Sequence, residues 1–234
     1  MHSISSFCRC GIITYFLYRK TQQKHYVVRI AEIEADSTYI DSYNAFLREE
    51  TGASVRLEQG VLTLYGVAEK ENTTRVTLFD TYDDSLSYRS HLATPHFQKY
   101  KPGTLHMVKD LELIPAQRIL YHKKPKLSNV NPDSVFVRLI RIELNKDAIE
   151  EYNNMGTTVM LPGIKDEPGV LLMYAVAEKE YPTRVSILEV YESKAAYDAH
   201  ITTLHYNQYK QVAKSAVKSA NFIDVVPVYL GFSK

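Results

Sequence analysis

Hydrophobic residues follow the same order twice along the chain, and their pattern predicts strands alternating with amphipathic helices. Segments 26–34 and 135–144 are dense in valine, isoleucine and leucine with little helical periodicity, so each is predicted to be a strand. Each runs into a residue that favours a helix N-terminus, Asp36 or Asn145. After Asp36, apolar residues recur at spacings of three and four, which predicts a helix covering one face of a sheet.

The rest of each half is predicted to contain two strands, a helix and a final strand. Strands are expected at 60–70 and 73–82, and again at 169–179 and 183–191, with connections short enough for hairpins. Asp84 and Ser193 then hold equivalent N-cap positions, and Thr94-Pro95 predicts a helix that stops near residue 93 and restarts. A last strand at 110–120 and 221–232 completes the ferredoxin-like order of elements.

The two halves are an internal duplication with a constant offset of 109 positions. Residues 28–101 align with 137–210 without a gap, and Val-Ala-Glu-Lys-Glu recurs at 67–71 and 176–180. This period is far longer than the roughly 20 to 50 residues of a solenoid unit. We therefore predict two complete domains, 26–120 and 135–234, joined by a linker at 121–134 and preceded by an extension at 1–25.

The predicted strands carry apolar residues on both faces, which predicts that both faces are buried. In the second strand one face was assigned Val61, Tyr65 and Val67, and the other Leu62, Leu64 and Ala68. Helices would cover one face of each sheet, and the sheet of the other repeat would cover the second face. The predicted fold class is α+β, with two ferredoxin-like (βαββαβ) repeats packed sheet to sheet as a pseudo-dimer within one chain.

Charge and cysteine content limit the possible partners. The chain has 28 basic and 27 acidic residues, so it offers no field for nucleic acid or anionic membranes, and small or neutral partners are expected. Both cysteines, Cys8 and Cys10, precede the first repeat. The apolar run 11–18 is about half the length that a membrane span needs. We expect a tail or a degenerate signal at 1–25, with a cytoplasmic location favoured and export possible if that segment is a signal.

Four sequence features together resemble the antibiotic biosynthesis monooxygenase domain. They are the order of elements, the Gly-Val-Leu opening of the second strand followed by Tyr65 or Tyr174, the Arg-Val pair after the hairpin, and the His-x-x-Thr-x-His segment from His91 or His200. The resemblance covers nearly all of 26–120 and 135–232, in a tandem form similar to putative quinol monooxygenases. It implies an intrachain dimeric α+β barrel with a pocket between helices and sheet in each half, and a further homo-oligomer is possible.

The activity that this resemblance implies is a cofactor-independent oxygenation of a quinol-type or other electron-rich aromatic molecule by O2, without metal or flavin. A base is required because a phenolate passes an electron to oxygen more readily than a neutral phenol does. Histidine suits this role at neutral pH. We therefore predict catalytic roles for His91, His96, His200 and His205. The alternatives are a buried histidine bonded to backbone for His91 and His200, and a capping or exposed position for the other two.

A second set of paired residues is predicted to bind the substrate. Asparagine has a mediocre propensity for helix interiors, and its amide could hold an oxygen that gains charge. The set comprises Asn44, Asn153, Tyr65, Tyr174, Arg75, Arg184, Tyr100 and Tyr209. A surface ion network around the hairpin is the alternative for the arginines, and a core position is the alternative for the mid-strand tyrosines.

Other functions remain open at this stage. The 18 tyrosines would fit a non-catalytic, small-ligand-binding barrel, and the same histidines could carry protons in an isomerase or lyase acting on a small carbonyl compound. Haem-degrading oxygenases of the same superfamily typically use a tryptophan, which this chain lacks. Residues 47–57 share almost nothing with 156–166, where Pro162-Gly163 is expected to shorten or bend the helix. One of the two sites could therefore be inactive.

Overall fold

The duplicated sequence folds into two copies of the predicted order of elements. The computed structural model describes residues 25–233. The strands are β1 (Val27–Ala35), β2 (Val61–Glu69), β3 (Arg75–Tyr82), β4 (Val108–Lys123), β5 (Phe136–Leu144), β6 (Val170–Glu178), β7 (Arg184–Tyr191) and β8 (Val217–Phe232). The α-helices are α1 (Ile40–Leu57), α2 (Ser85–Leu92), α3 (Pro95–Thr104), α4 (Ile149–Met155), α5 (Leu161–Asp166), α6 (Lys194–His200) and α7 (Leu204–Ala216).

All eight strands form one closed barrel, in the order β1-β3-β2-β8-β5-β7-β6-β4. The first four strands in chain order make the ferredoxin-like arrangement β4-β1-β3-β2, and the second four repeat it. The predicted intrachain pseudo-dimer is confirmed. Equivalent residues of the two repeats contact each other, since Arg141 Nη2 lies 2.6 Å from Oε2 of Glu32, its counterpart 109 positions earlier.

The barrel closes because β4 and β8 each pair with both repeats. Residues 108–116 of β4 pair with β1, and residues 116–123 pair with β6. In the same way β8 pairs with β5 over 217–224 and with β2 over 225–232. Neither repeat is left with a free sheet edge. The sequence pattern predicted shorter final strands and so missed this crossing, since β4 was expected to end at 120 and β8 to begin at 221.

Apolar residues on the two faces of each strand separate into a barrel interior and a layer under the helices. Tyr65 and Val67 point into the barrel core, whereas Leu64 packs on the helix side. Val61 was assigned to the same face as Tyr65, but it packs with Leu64 and Tyr82. The cause is a register shift between residues 61 and 63 of β2, a β-bulge that moves Val61 to the opposite face.

The linker closes one end of the barrel. It forms two short 3-10 turns, Pro125–Asn129 and Pro132–Ser134. Leu127 is only 2% exposed and joins the barrel core, with Val130 and Val135 packed beside it. Burying a leucine side chain contributes about 1.5–3 kcal/mol, so this connection stabilises the barrel as well as joining the repeats.

The first helical segment differs between the repeats in the region where the sequences diverge. In the first repeat α1 is continuous, whereas in the second a π-helical segment, Gly156–Met160, separates α4 from α5. The expected shortening is wrong, because α5 ends at Asp166, the counterpart of Leu57. The wider π turn accommodates Pro162, which cannot donate the backbone hydrogen bond that an α-helix requires.

The predictions for the N-terminal extension and for the domain boundaries stay predictions. The N-terminal extension, apart from residue 25, lies outside the described residues, and the domain boundaries stay a prediction of the repeat pattern. Among residues 25–233, no helix is both long enough and apolar enough to cross a bilayer.

Because β4 and β8 exchange between repeats, residues 25–124 alone are expected not to form a folded monomer. Strand β2 would lose its partner β8, and the apolar barrel face around Val28 and Tyr65 would be exposed to water. Size-exclusion chromatography with light scattering should show a strand-exchanged dimer or aggregate, with the full chain as the mass reference. A monodisperse, folded monomer of this fragment would contradict the role assigned to the crossing strands.

Candidate active site

The two predicted histidines of the first repeat meet at one glutamate. His91 Nδ1 lies 3.1 Å from Oε1 of Glu58, and His96 Nε2 lies 2.7 Å from the same oxygen. Glu58 directly follows α1, His91 lies in the last turn of α2, and His96 lies in the first turn of α3. The predicted break between α2 and α3, with Thr94 as N-cap, turns both rings toward this carboxylate.

The second repeat builds the same arrangement with equivalent residues. His200 Nδ1 and His205 Nε2 each lie 2.7 Å from Oε1 of Glu167. We call these two groups the His–Glu–His clusters. Burial would raise the pKa of Glu167, but hydrogen bonds from His200 and His205 outweigh it and lower that pKa. The pKa of Glu58 is lowered in the same way. The central carboxylate is therefore charged in both clusters.

The sequence analysis did not identify either glutamate of these clusters, although a signal was present. Glu58 and Glu167 are 109 positions apart, two residues before each Gly-Val-Leu. Both repeats keep this glutamate after helical segments that otherwise share almost nothing. The pair could therefore have been predicted together with the other polar residues that recur in both repeats.

A small cavity lies between helices and sheet in the second repeat. Its floor is strand side chains such as Ala175 and Ile187, and its helix side includes Tyr152 and Tyr209. Ile119 and Leu120, from β4 of the first repeat, close one side. The remaining lining residues are Gly156, Met160, Met173, Glu189 and Tyr206. The volume is about 40 Å³, room for a few water molecules and well below the several hundred Å³ of a typical small-molecule site. An aromatic ring can enter only if the surrounding side chains move.

Glu189 places a carboxyl group in the wall of this cavity. It lies on β7, is 8% exposed, and accepts a hydrogen bond of 3.1 Å from the Tyr191 hydroxyl. Burial raises the pKa of Glu189, and the nearby charges of His200 and Arg138 only partly oppose this rise. Sequence analysis overlooked this residue, although a single acid within the apolar run of β7 was visible. The group is suited to accept a proton inside an apolar site.

In the first repeat, the positions equivalent to Gly156 and Glu189 hold a larger side chain and a carboxylate paired with an arginine. Leu47, the counterpart of Gly156, is fully buried and lies 3.8 Å from where a Cβ on Gly66 would be. Asp80, the counterpart of Glu189, forms a buried ion pair with Arg29, whose Nε lies 3.1 Å from Oδ2.

The corresponding arginine of the second repeat takes a different position. Arg138 lies over the rings of Tyr197 and Phe222, 4.8 Å from each centroid. Within residues 25–233, Glu189 forms no ion pair, so the charge of Arg138 lowers the pKa of Glu189 only from a distance, whereas Arg29 contacts Asp80 directly.

The predicted tyrosines fall into two groups. Tyr209 lines the cavity, and its hydroxyl lies 3.2 Å from that of Tyr152. Tyr100 makes the same contact with the Tyr43 hydroxyl at 3.0 Å. By contrast, Tyr65 and Tyr174 point into the barrel interior, where Tyr65 contacts the Tyr121 hydroxyl at 3.0 Å and Tyr174 contacts Thr81 Oγ1 at 2.6 Å.

The predicted asparagines and arginines lie outside the cavity. The Oδ1 atoms of Asn44 and Asn153 are buried without a hydrogen-bond partner among the described residues, and Asn153 borders an open surface depression. Arg75 is exposed at the hairpin. Arg184 lies 3.6 Å from Glu178 and 3.8 Å from Glu143, in the expected ion network.

Comparison with known proteins identifies one family for both repeats. The profile described as antibiotic biosynthesis monooxygenase matches residues 26–103 and 135–212. A "putative monooxygenase" from Lactobacillus acidophilus NCFM is 19% identical with a TM-score of 0.81, over 88% of this chain and 96% of its own. Another from Fusobacterium nucleatum is 16% identical with a TM-score of 0.80, over 90% and 96%. At these identities the two structures show the shared fold alone.

A shorter protein and a negative result complete the comparison. A "putative antibiotic biosynthesis monooxygenase" from Bacteroides thetaiotaomicron VPI-5482 is 51% identical over 41% of this chain and 91% of its own, with a TM-score of 0.41. No curated protein matches the chain.

The substitution Glu189→Gln is expected to raise the thermal stability of the protein at neutral and higher pH. Because burial raises the pKa of Glu189 above its ordinary value of 4.5, the folded state holds this proton more tightly than the unfolded state does. The contribution of Glu189 to the stability of the wild type should therefore fall as pH rises from about 4.5 through the folded-state pKa. Melting temperatures measured from about pH 4 to 8 should show an advantage of the variant that grows with pH. A wild type that melts at a higher temperature than Glu189→Gln at pH 8 would refute the raised pKa assigned to Glu189.

Proposed function

The chain belongs to the antibiotic biosynthesis monooxygenase family, and from this premise we propose that its second repeat is a cofactor-independent monooxygenase site for a quinol or another electron-rich phenol. The observation that carries the proposal is Glu189, a buried carboxyl group in the wall of a cavity lined by tyrosines. One atom of O2 enters the product and the other leaves as water. A quinol thereby becomes a hydroxyquinone, and its own electrons reduce the oxygen.

In this proposal Glu189 is the base that removes the phenolic proton. Its raised pKa makes it a stronger base than an exposed carboxylate, and accepting a proton relieves the burial of its charge. The phenolate passes one electron to O2, and the two radicals combine into a carbon–oxygen bond. After protonation, the hydroperoxide loses the ring C–H proton and its O–O bond breaks, which releases water.

The tyrosines of the cavity are suited to hold the oxygen that gains charge. Burial raises the pKa of Tyr206 to about 12 and also raises the pKa values of Tyr152 and Tyr209. These hydroxyls are therefore protonated at neutral pH and can donate hydrogen bonds to a phenolate or a peroxide. Tyr209 keeps its predicted substrate-binding role in this scheme.

The histidines take a different role from that of a base in direct contact with substrate. None of the four lines the cavity, but His200 is close enough for its charge to lower the pKa of Glu189. We assign His200 as a positioning residue that tunes Glu189, held in place by Glu167. The first repeat, with its filled site and its Asp80–Arg29 pair, is proposed to be catalytically silent.

A non-catalytic, ligand-binding barrel is the second candidate, and the small cavity volume of about 40 Å³ favours it. An isomerase or lyase of a small carbonyl compound could also use Glu189 as a proton carrier. Oxygen dependence separates these functions, because only the monooxygenase consumes O2 in proportion to product.

Oxygen uptake with a panel of hydroquinones tests the proposed base. Glu189→Gln should lower kcat by about 10²- to 10⁴-fold, the range for loss of a general base. Glu192→Gln is the matched control, because Glu192 is about half exposed and pairs with Lys126 on the surface. Oxygen uptake by Glu189→Gln at the wild-type rate would contradict the role of Glu189 as the base. A wild type that takes up no oxygen with any of the hydroquinones would contradict the monooxygenase proposal.

The substitution Gly156→Leu tests the cavity by copying Leu47 of the first repeat. A Cβ at Gly156 would lie 3.7 Å from Leu120 Cδ1, an ordinary contact, so the backbone can accept a side chain. The larger side chain should fill the cavity and abolish uptake without lowering the melting temperature. Gly156→Ala is the control and should retain part of the activity. Full turnover in a folded Gly156→Leu protein would place the reaction elsewhere.

A further inference from the structure

The His–Glu–His clusters have a feature that the proposed reaction does not use. In each cluster, one nitrogen of each of two histidines contacts the same carboxylate oxygen, and the three residues come from the ends of three helices of the repeat. Both repeats keep the three ligand types at identical spacing, although residues 47–57 and 156–166 share almost nothing. The same convergent donor set is therefore present twice in one chain.

From this geometry, we propose that each His–Glu–His cluster binds a divalent transition metal ion of the zinc class. Two imidazole nitrogens and one carboxylate oxygen are a donor set that zinc accepts, with a fourth position left for water. In the second repeat, the donor atoms of Glu167, His200 and His205 all lie within 4.8 Å of one another. In the first repeat, the group at this spacing is Glu50, His91 and His96, and Glu58 contacts both histidines.

The distances require only a small adjustment to admit an ion. Tetrahedral zinc with bonds near 2.0–2.1 Å holds its donors about 3.3 Å apart. The carboxylate oxygens lie 2.7–3.1 Å from the ring nitrogens in the two clusters. Shifts of about 0.2–0.6 Å would therefore bring each oxygen–nitrogen pair to the spacing of a coordination shell.

In each cluster one histidine is buried and the other is partly exposed, as expected for a metal site that is open to solvent on one side. His91 and His200 are almost fully buried, which fixes one ligand in each cluster. His96 and His205 keep about 15% of their side-chain surface, so an ion and a water ligand can approach from solvent.

A carboxylate beyond the ligands supports the first cluster. The second ring nitrogen of His91, Nε2, lies 3.7 Å from Oε1 of buried Glu50. Metal-ligating histidines commonly donate their other N–H to a carboxylate, which fixes the tautomer and strengthens the ligand. In the second cluster, His200 Nε2 is buried without a hydrogen-bond partner among the described residues.

The metal content of the full chain tests the metal-binding proposal and does not depend on catalytic activity. Failure of the metal-binding proposal can therefore be distinguished from failure of the proposed function. The protein is stripped with a chelator, dialysed against Zn²⁺ and then metal-free buffer, and analysed by mass spectrometry for bound zinc. We expect two zinc ions per chain, one in Glu58→Gln, one in Glu167→Gln and none in the double variant. Glutamine preserves the shape and one hydrogen-bond acceptor, but it is a poor zinc ligand.

Two controls separate the clusters from other donors. His106→Asn removes an exposed histidine outside both clusters and should keep two ions. Cys8→Ser/Cys10→Ser tests the thiols of the N-terminal segment and should also keep two. Without metal, the glutamine variants should melt close to the temperature of the metal-free wild type. This result would exclude misfolding as the cause of a loss of bound zinc.

Cobalt provides a second readout, because Co²⁺ bound to nitrogen and oxygen ligands absorbs visible light. The absorption should halve in each single glutamine variant and vanish in the double variant. A wild type that retains no zinc, or a double variant that retains as much as the wild type, would overturn the proposal.

Discussion

The structure depends on the burial of strands that are apolar on both faces. Helices cover one face of each four-stranded sheet, and the barrel interior covers the other, but this closure requires that β4 and β8 cross between the repeats. The crossing removes every free edge from the barrel. It also means that both repeats form the cavity, because Ile119 and Leu120 of the first repeat close the cavity of the second. Neither half is complete without the other.

This interdependence explains why two similar halves can carry different chemistry. The first repeat fills the space under its helices with Leu47 and neutralises Asp80 with Arg29, which favours packing. The second repeat has Gly156 at the equivalent position, and Glu189 makes no direct ion pair with Arg138, which leaves a cavity and a carboxyl group with a raised pKa. Burying such a group lowers stability, and sites of this kind are common where function requires a strong base.

Much of the fold could be predicted from the sequence because its signals are local. The strand runs, the caps at Asp84, Ser193 and Thr94, and the break before Pro95 all follow from a few adjacent residues. The length of β4 and the bulge at Val61 could not be predicted, because both depend on partners distant in sequence. The sites were harder for the same reason. Histidine spacing pointed to His91 and His96, but only the folded chain brings Glu58 between them. Likewise, Glu189 is buried only once the helices pack on the sheet.

The most direct test of the central claim is a crystal structure of the full chain with a phenol that cannot be oxidised further. We expect electron density for the ring in the second repeat, with its hydroxyl beside Glu189 and its face near Tyr209, and no ligand at the equivalent place near Leu47. A ligand bound in the first repeat or in the barrel interior, with the second cavity unchanged, would contradict it.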